Sequence, residues 1–147
     1  QRAHEGKMIF GLLDEKVQNI ERLSTQIEPL DTQRAADKKN KIKLALEDQQ
    51  PDSSFDKNRL EQEIIYYIEK LDISEERVRL KHHCTYFQEI LNSSDDLKGK
   101  KLGFIAQEIG REINTLGAKA NHSEIQKIVV QMKDELEQIK EQVANAL

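Results

Sequence analysis

From Ile125 to Val143 the chain sets Ile125, Val129, Met132, Leu136, Ile139 and Val143 at alternating steps of four and three, and Ala146 continues the seam. Charged and amide side chains fill the positions between. A heptad stripe of this kind is satisfied only by another helix laid along it, from the same chain or from another copy. Related three- and four-residue steps recur through the chain: Ile9, Leu13, Val17, Ile20, Leu23 and Ile27; Leu60, Ile64, Tyr67 (or Ile68) and Leu71; Leu80, Cys84, Phe87 and Leu91; Leu102, Ile105, Ile109 and Ile113. No stretch alternates with the period of a strand. The predicted fold class is all-α, with no sheet: extended helical hairpins or a bundle of about six helices, closed by the C-terminal heptad helix.

Local signals set the expected boundaries. Pro29 should interrupt the first helix, after which Asp31 can cap a second, more basic one ending near Glu47. The apolar content of that second helix (Ala35, Ala36, Ile42, Leu46) is thin, so it should stand partly clear of the core. "QQPDSS" (49–54) reads as a loop, and Asp56 opens the third helix. Ser74, followed by Glu75 and Glu76, suits an N-cap with acids in the positive first turn. Asn121 and Glu124 resemble a capping box at the start of the last helix. Residues 1–55 then read as a long helical arm or hairpin, and residues 56–147 as a helical C-terminal domain.

Composition narrows the functional classes. Charged residues make up 34% of the 147 and aromatics 5%, with two Pro and no Trp, which favours long helices over sheet. Net charge is −4, so any surface for a polyanion has to be local. Two stretches qualify, Arg34, Lys38, Lys39, Lys41 and Lys43, and Lys98, Lys100 and Lys101; each also suits a solvated helix face. The single Cys84 excludes an internal disulfide, and on its helical stripe it reads as a small core residue rather than a nucleophile. No apolar run reaches membrane-spanning length. A chain that opens on Gln1 rather than Met is expected to be a segment of a longer protein.

Phosphate-binding loops, paired Cys ligands, His-Glu-x-x-His and Gly-x-Ser-x-Gly are absent. Polar chemistry concentrates instead in "GREINTLGAKANHSEI" (110–125). Glu108 and Glu112 lie four apart on one helical face and repel each other at that spacing. With Asn114 and Thr115 close by, the two carboxylates could share a divalent cation. A structural account is equally concrete: Arg111 and Lys119 neutralise the acids, Gly117 ends the helix and Asn121 caps the next.

"DISEERVRLKHHCTYF" (72–87), "GKKLGFIAQEIGREINTLGAKAN" (99–121) and "EIQKIVVQMKDELEQIKEQVAN" (124–145) closely resemble the C-terminal region of the YicC-like bacterial family. The match is nearly continuous from Gly99 to Asn145, whereas the first fifty residues are too generic to count. Departures from the family pattern are mild: Ile113, Leu116, Ala118, and His122 where an acid is usual. The resemblance implies a cytoplasmic bacterial endoribonuclease that depends on a divalent metal ion, Mg or Mn, and acts on RNA. It also implies a homo-oligomer, reportedly hexameric, with no membrane partner and no small-molecule cofactor, whose full chains carry a further N-terminal domain. On that basis Glu108, Glu112 and Glu124 are the expected metal ligands, and His83, with Glu76 and Arg111, the expected catalytic group. RNA contacts are expected from Lys38, Lys39, Lys41, Arg79 and Lys119, with hydrogen bonds from Asn114, Thr115 and Asn121. His83 could equally be a helix-surface histidine paired with Glu76. A different class of function stays open beside the nuclease: a non-catalytic helical module for oligomerisation or for clamping RNA.

Overall fold

The computed structural model describes residues 2–48 and 54–146. Among them it holds five helices and no strand: α1 (Arg2–Glu47), α2 (Ser54–Leu71), α3 (Ser74–Leu91), α4 (Lys98–Lys119) and α5 (Ser123–Ala146). The all-α class is as expected, but the count is five rather than about six, because α1 runs straight through Pro29. A proline inside a helix leaves one carbonyl without its amide partner and costs ~3 kcal/mol. Here the turns on both sides are held by burial: Ile27 before the proline, Asp31 and Arg34 after it. Asp31 is therefore no cap. It lies in the middle of a helix of 46 residues, about 69 Å long at 1.5 Å per residue. Of the expected loop at 49–54, residues 49–53 lie outside the described residues, and at Ser54 α2 has already begun.

The first half of α1 packs with α3, α4 and α5 around one core. Leu13, Val17, Ile20, Leu23 and Ile27 of α1 are all buried, as are Leu80, Cys84, Phe87 and Leu91 of α3, and Leu102, Ile105, Ile109 and Ile113 of α4. The heptad seam of α5, from Ile125 to Val143, is buried against α1 and α4 of the same chain. No second copy is needed to cover it. Gly110 and Gly117 sit where α4 comes closest to α5: a Cβ at Gly110 would meet Leu136 Cδ2 at 3.1 Å, and one at Gly117 would meet Val129 Cγ1 at 3.2 Å. Gly117 is thus a contact point inside α4 and not a helix terminator.

Beyond Arg34 the remainder of α1 is mostly exposed and pairs with α2, whose apolar stripe (Leu60, Ile64, Ile68, Leu71) is only half-buried. Helix starts use other side chains than expected. At α3, Asp72 Oδ1 accepts from the Ser74 amide at 2.9 Å and from its hydroxyl, which holds the Asp72 carboxyl below the usual carboxylate range. At α5, His122 Nδ1 accepts from the Ile125 amide at 3.2 Å, while Glu124 pairs with Lys127. Gln126 Nε2 closes the α4–α5 turn by donating to the Gly117 and Ala120 carbonyls, each at 2.7 Å.

Candidate functional site

α3 and α4 are joined by the short turn at 92–97 and run antiparallel, so the first turns of α3 lie beside the last turns of α4. Charged residues meet along that seam. Arg79 Nε donates to Glu112 Oε1 at 3.0 Å, and its Nη1 reaches Glu75 at 3.2 Å. Lys119 Nζ donates to Glu76 Oε1 at 2.7 Å and to the Asp72 carbonyl at 3.3 Å. Arg79 Nη2 stands 3.9 Å from Glu76 Oε1, which links the two pairs into one network. The acids are the inner members: Glu76 and Glu112 are buried, whereas Arg79 and Lys119 keep 47% and 35% of their side chains in solvent. A buried carboxylate is tolerated only when paired, which is why two cations from the facing helices close over these two. The pairing with Glu112 also raises the Arg79 guanidinium above its ordinary value. Glu76 Oε2 is buried with no protein partner.

The residues expected to form the site are only partly brought together. Glu76, Arg79, Glu112 and Lys119 converge on one patch. His83, half-buried, lies one turn along α3 from Arg79; the register that joins Arg79 to Glu112 sets His83 level with Glu108. His83 does not hold Glu76, which is taken by Lys119 and Arg79. Arg111 is exposed and reaches Glu108 at 3.6 Å. Asn114 and Asn121 are exposed, and the Thr115 hydroxyl turns back to the Arg111 carbonyl at 3.0 Å.

Glu108, Glu112 and Glu124 do not gather as a three-carboxylate cage. Glu112 is turned in to Arg79, Glu108 is half-exposed beside Arg111, and Glu124 stands on the surface with Lys127. Among the described residues no group of three or more His, Cys, Asp or Glu side chains is placed to hold a metal ion. The physical reason is that helical spacing fixes which face a residue takes but not what packs against it. Glu108 and Glu112 share a face, yet only the second meets a cation of α3. What the sequence hid was the pairing across helices: Arg79 with Glu112 and Lys119 with Glu76 are 33 and 43 residues apart.

The basic stretch on α1 divides as well. Lys39 and Lys41 are exposed and Lys38 half-buried, but Arg34 is buried, donating to Asp31 Oδ1 at 2.9 Å and to the Leu71 carbonyl. Cys84 is buried, and desolvation pushes its thiol far up, so it stays a protonated core group. None of the described helices is long and apolar enough to cross a membrane.

Comparison with known proteins gives a consistent result. The model of a family described as endoribonuclease YicC-like, C-terminal, matches residues 27–146. A Clostridioides difficile (strain 630) protein named probable endoribonuclease YicC is 35% identical over 152 residues, an alignment covering 98% of this chain and 49% of that protein. A Haemophilus influenzae protein of the same name is 37% identical over 92 residues, covering 63% of this chain and 32% of that protein. The chain thus spans about half the length of the first of these relatives, and less of the second.

Proposed function

This chain belongs to the YicC-like endoribonuclease family, and from that membership we propose that it is the RNA-binding and RNA-cleaving helical part of a bacterial endoribonuclease working in the cytoplasm. The observation that carries the reading is the α3–α4 seam. Two buried carboxylates, Glu76 and Glu112, are held by two half-exposed cations, Arg79 and Lys119, beside a half-buried histidine. A hairpin needing only to pack would place apolar residues there at lower cost.

Cleavage of a phosphodiester needs a proton taken from the attacking oxygen, one given to the leaving oxygen, and compensation for charge on the phosphate. His83 is the imidazole on this seam that can exchange a proton with the reacting oxygens. Arg111, with most of its guanidinium in solvent, and the outer edges of Arg79 and Lys119 face an incoming phosphate. Glu76 and Glu112 act through Arg79 and Lys119, fixing where those cations sit. They are positioning residues. Asn114, in the last turns of α4, and Asn121, in the turn that follows it, are exposed and can reach sugar or base. Lys38, Lys39 and Lys41 hold backbone further along the strand, with the salt dependence such contacts bring.

The residues present do not fit a metal cage made by the protein alone. A divalent ion, Mg or Mn, fits this surface only as one carried largely by water and RNA phosphate, with Glu108 as the accessible carboxylate. Assembly into a homo-oligomer belongs to the same proposal. Because the heptad seam is filled from within the chain, exposed apolar side chains such as Phe104, Leu97 and Met8 are available for it.

The deciding experiment compares RNA cleavage by the full-length protein and by this chain, each with and without a chelator, and adds full-length His83→Ala and Arg111→Ala. We expect chelator-sensitive cleavage that collapses in both variants, with circular dichroism melts and RNA affinity of His83→Ala unchanged. Full activity of His83→Ala would remove the histidine from the mechanism. Cleavage indifferent to the chelator would remove the metal. RNA binding without cleavage by any form would favour the clamp reading, which the internally neutralised seam and the exposed basic stretch of α1 support.

A further inference from the structure

Where α1 leaves the core, α2 ends and α3 begins, the three helices line a cavity of about 280 Å³ that adjoins the α3–α4 seam and shares Asp72 with it. Its lining is not neutral. Arg34, Arg77, Lys38 and Lys39 meet only two carboxylates there, Asp31 and Asp72. Asp31 is shared between both guanidiniums, at 2.9 Å from Arg34 Nη2 and 3.5 Å from Arg77 Nη2. Asp72 is already committed to the Ser74 amide and hydroxyl.

Two donors remain over. Arg34 is only 3% exposed, and its Nη1 is buried with no partner; Arg77 Nε is likewise buried and without a partner. An unsatisfied donor on a buried guanidinium costs on the order of 1–3 kcal/mol, more than for a neutral group. Both belong to residues lining the same cavity, beside two further cations. We propose that this cavity is a binding site for a phosphate group, specifically a phosphomonoester.

The chemistry follows from the donor set. Guanidinium N–H groups in fixed planar geometry match the oxygens of a tetrahedral oxyanion, and the lysines add point charge. A phosphomonoester carries up to two charges, which answers the surplus of cations; a carboxylate ligand would leave part of it uncompensated. The volume falls just below the ~300–1,000 Å³ taken by drug-sized ligands, so it suits a phosphate with its sugar. Ile68 and Leu71 of α2 supply the apolar wall for such a sugar. The site is formed by all three helices, so an occupied site ties the hairpin of α1 and α2 to the start of α3. The proposal goes beyond RNA cleavage: it shares Lys38 and Lys39 with the backbone contacts proposed above, while Arg34 and Arg77 are its own. The phosphomonoester can belong to a free mononucleotide or to the 5′ end of an RNA strand.

The test uses the full-length protein, with melting temperature and titration calorimetry as readouts. Probes are inorganic phosphate, adenosine 5′-monophosphate, and one short RNA prepared with a 5′-phosphate or a 5′-hydroxyl, all against chloride at matched ionic strength. We expect inorganic phosphate and the nucleotide to raise the melting temperature above the chloride control. Lys38→Gln/Lys39→Gln, at positions that need not disturb folding, should weaken nucleotide binding by about tenfold or more. Arg77→Gln should do the same; if it does not fold, the double lysine variant decides. Tighter binding of the 5′-phosphate RNA than of its 5′-hydroxyl twin identifies the RNA end as the source. Equal binding of the two RNAs, with the nucleotide effect intact, identifies the free nucleotide. No protection by phosphate or nucleotide beyond chloride, or protection undiminished in the lysine variant, overturns the site.

Discussion

Two regions of this molecule are written in nearly the same residues and end in opposite environments. In the core, Ile20, Ile109, Ile113 and Ile139 are wholly buried. In the hairpin of α1 and α2, Leu44 is 62% exposed, and Ile65, Tyr66 and Tyr67 are each at least half exposed. The difference lies in the number of neighbours and not in hydrophobicity. α4 packs against α3 and α5, and α5 against α1 and α4, whereas α2 packs chiefly on α1. A helix with two partners buries a broad stripe; one with a single partner buries a narrow seam and leaves its flanks wet. The charged residues obey the same rule. Those at the core, Glu76, Glu112, Asp31 and Arg34, are paired, while Arg59 and Glu63 of α2 meet at 3.7 Å in solvent, where such a pair contributes little.

The sharpest way to break this comparison is to place charge in each region. Leu136→Asp with Ile139→Asp should abolish folding at 25 °C, because two carboxylates would be stranded in a desolvated seam. Ile65→Asp, chemically the same change, should leave stability within ~0.5 kcal/mol. Circular dichroism melts of the two separate them. A folded double variant of α5 would mean the seam is not filled from within the chain.

Next in size is close packing between helices. Gly117→Val puts a branched side chain where Cβ alone would already meet Val129 at 3.2 Å, so a loss of ~1–3 kcal/mol is expected despite the gain in helix propensity. Gly11 has nothing within 4 Å of a would-be Cβ, and Gly11→Ala should instead stabilise by up to ~1 kcal/mol. Urea midpoints at constant m-value test both.

The third prediction splits a pair that the sequence treats alike. Glu112→Gln loses the charge that holds Arg79 and should cost ~1–3 kcal/mol. Glu108→Gln, half-exposed beside Arg111, should change stability by ~0.5 kcal/mol or less. Equal losses would mean that the two carboxylates share an environment after all.

The smallest effect is in pH. Burial raises the pKa of Glu21 above 4.5, against the pull of Lys81, and Glu21 Oε1 is buried without a partner. The unfolded chain therefore ionises this group first, so stability should fall as pH rises through the window just above 4.5. Glu21→Gln should flatten that fall. Asp72 has the opposite sign: its pKa lies below 3.8, so its contribution is present above 3.8 and lost as pH drops further. Ser74→Ala should weaken this second dependence. Melting temperatures from pH 3 to 7 read both.

Local pattern by itself determined the all-α class and the inner faces of the core helices. The stripes through Leu13–Ile27, Leu80–Leu91, Leu102–Ile113 and Ile125–Val143 all came out buried, because a period near 3.6 leaves a helix one apolar face to hide. The role of Cys84 as a core residue was legible for the same reason. Tertiary structure decided the rest. It carried α1 through Pro29, since burial on both sides of the proline outweighs a lost hydrogen bond. It moved the helix caps to Asp72 and His122, and it turned Gly117 from a terminator into a packing contact. It took Arg34 out of the basic surface and gave Glu112 to Arg79 and Glu76 to Lys119. Those outcomes depend on which helix lies opposite, a relation between residues tens of positions apart that spacing along one helix does not contain.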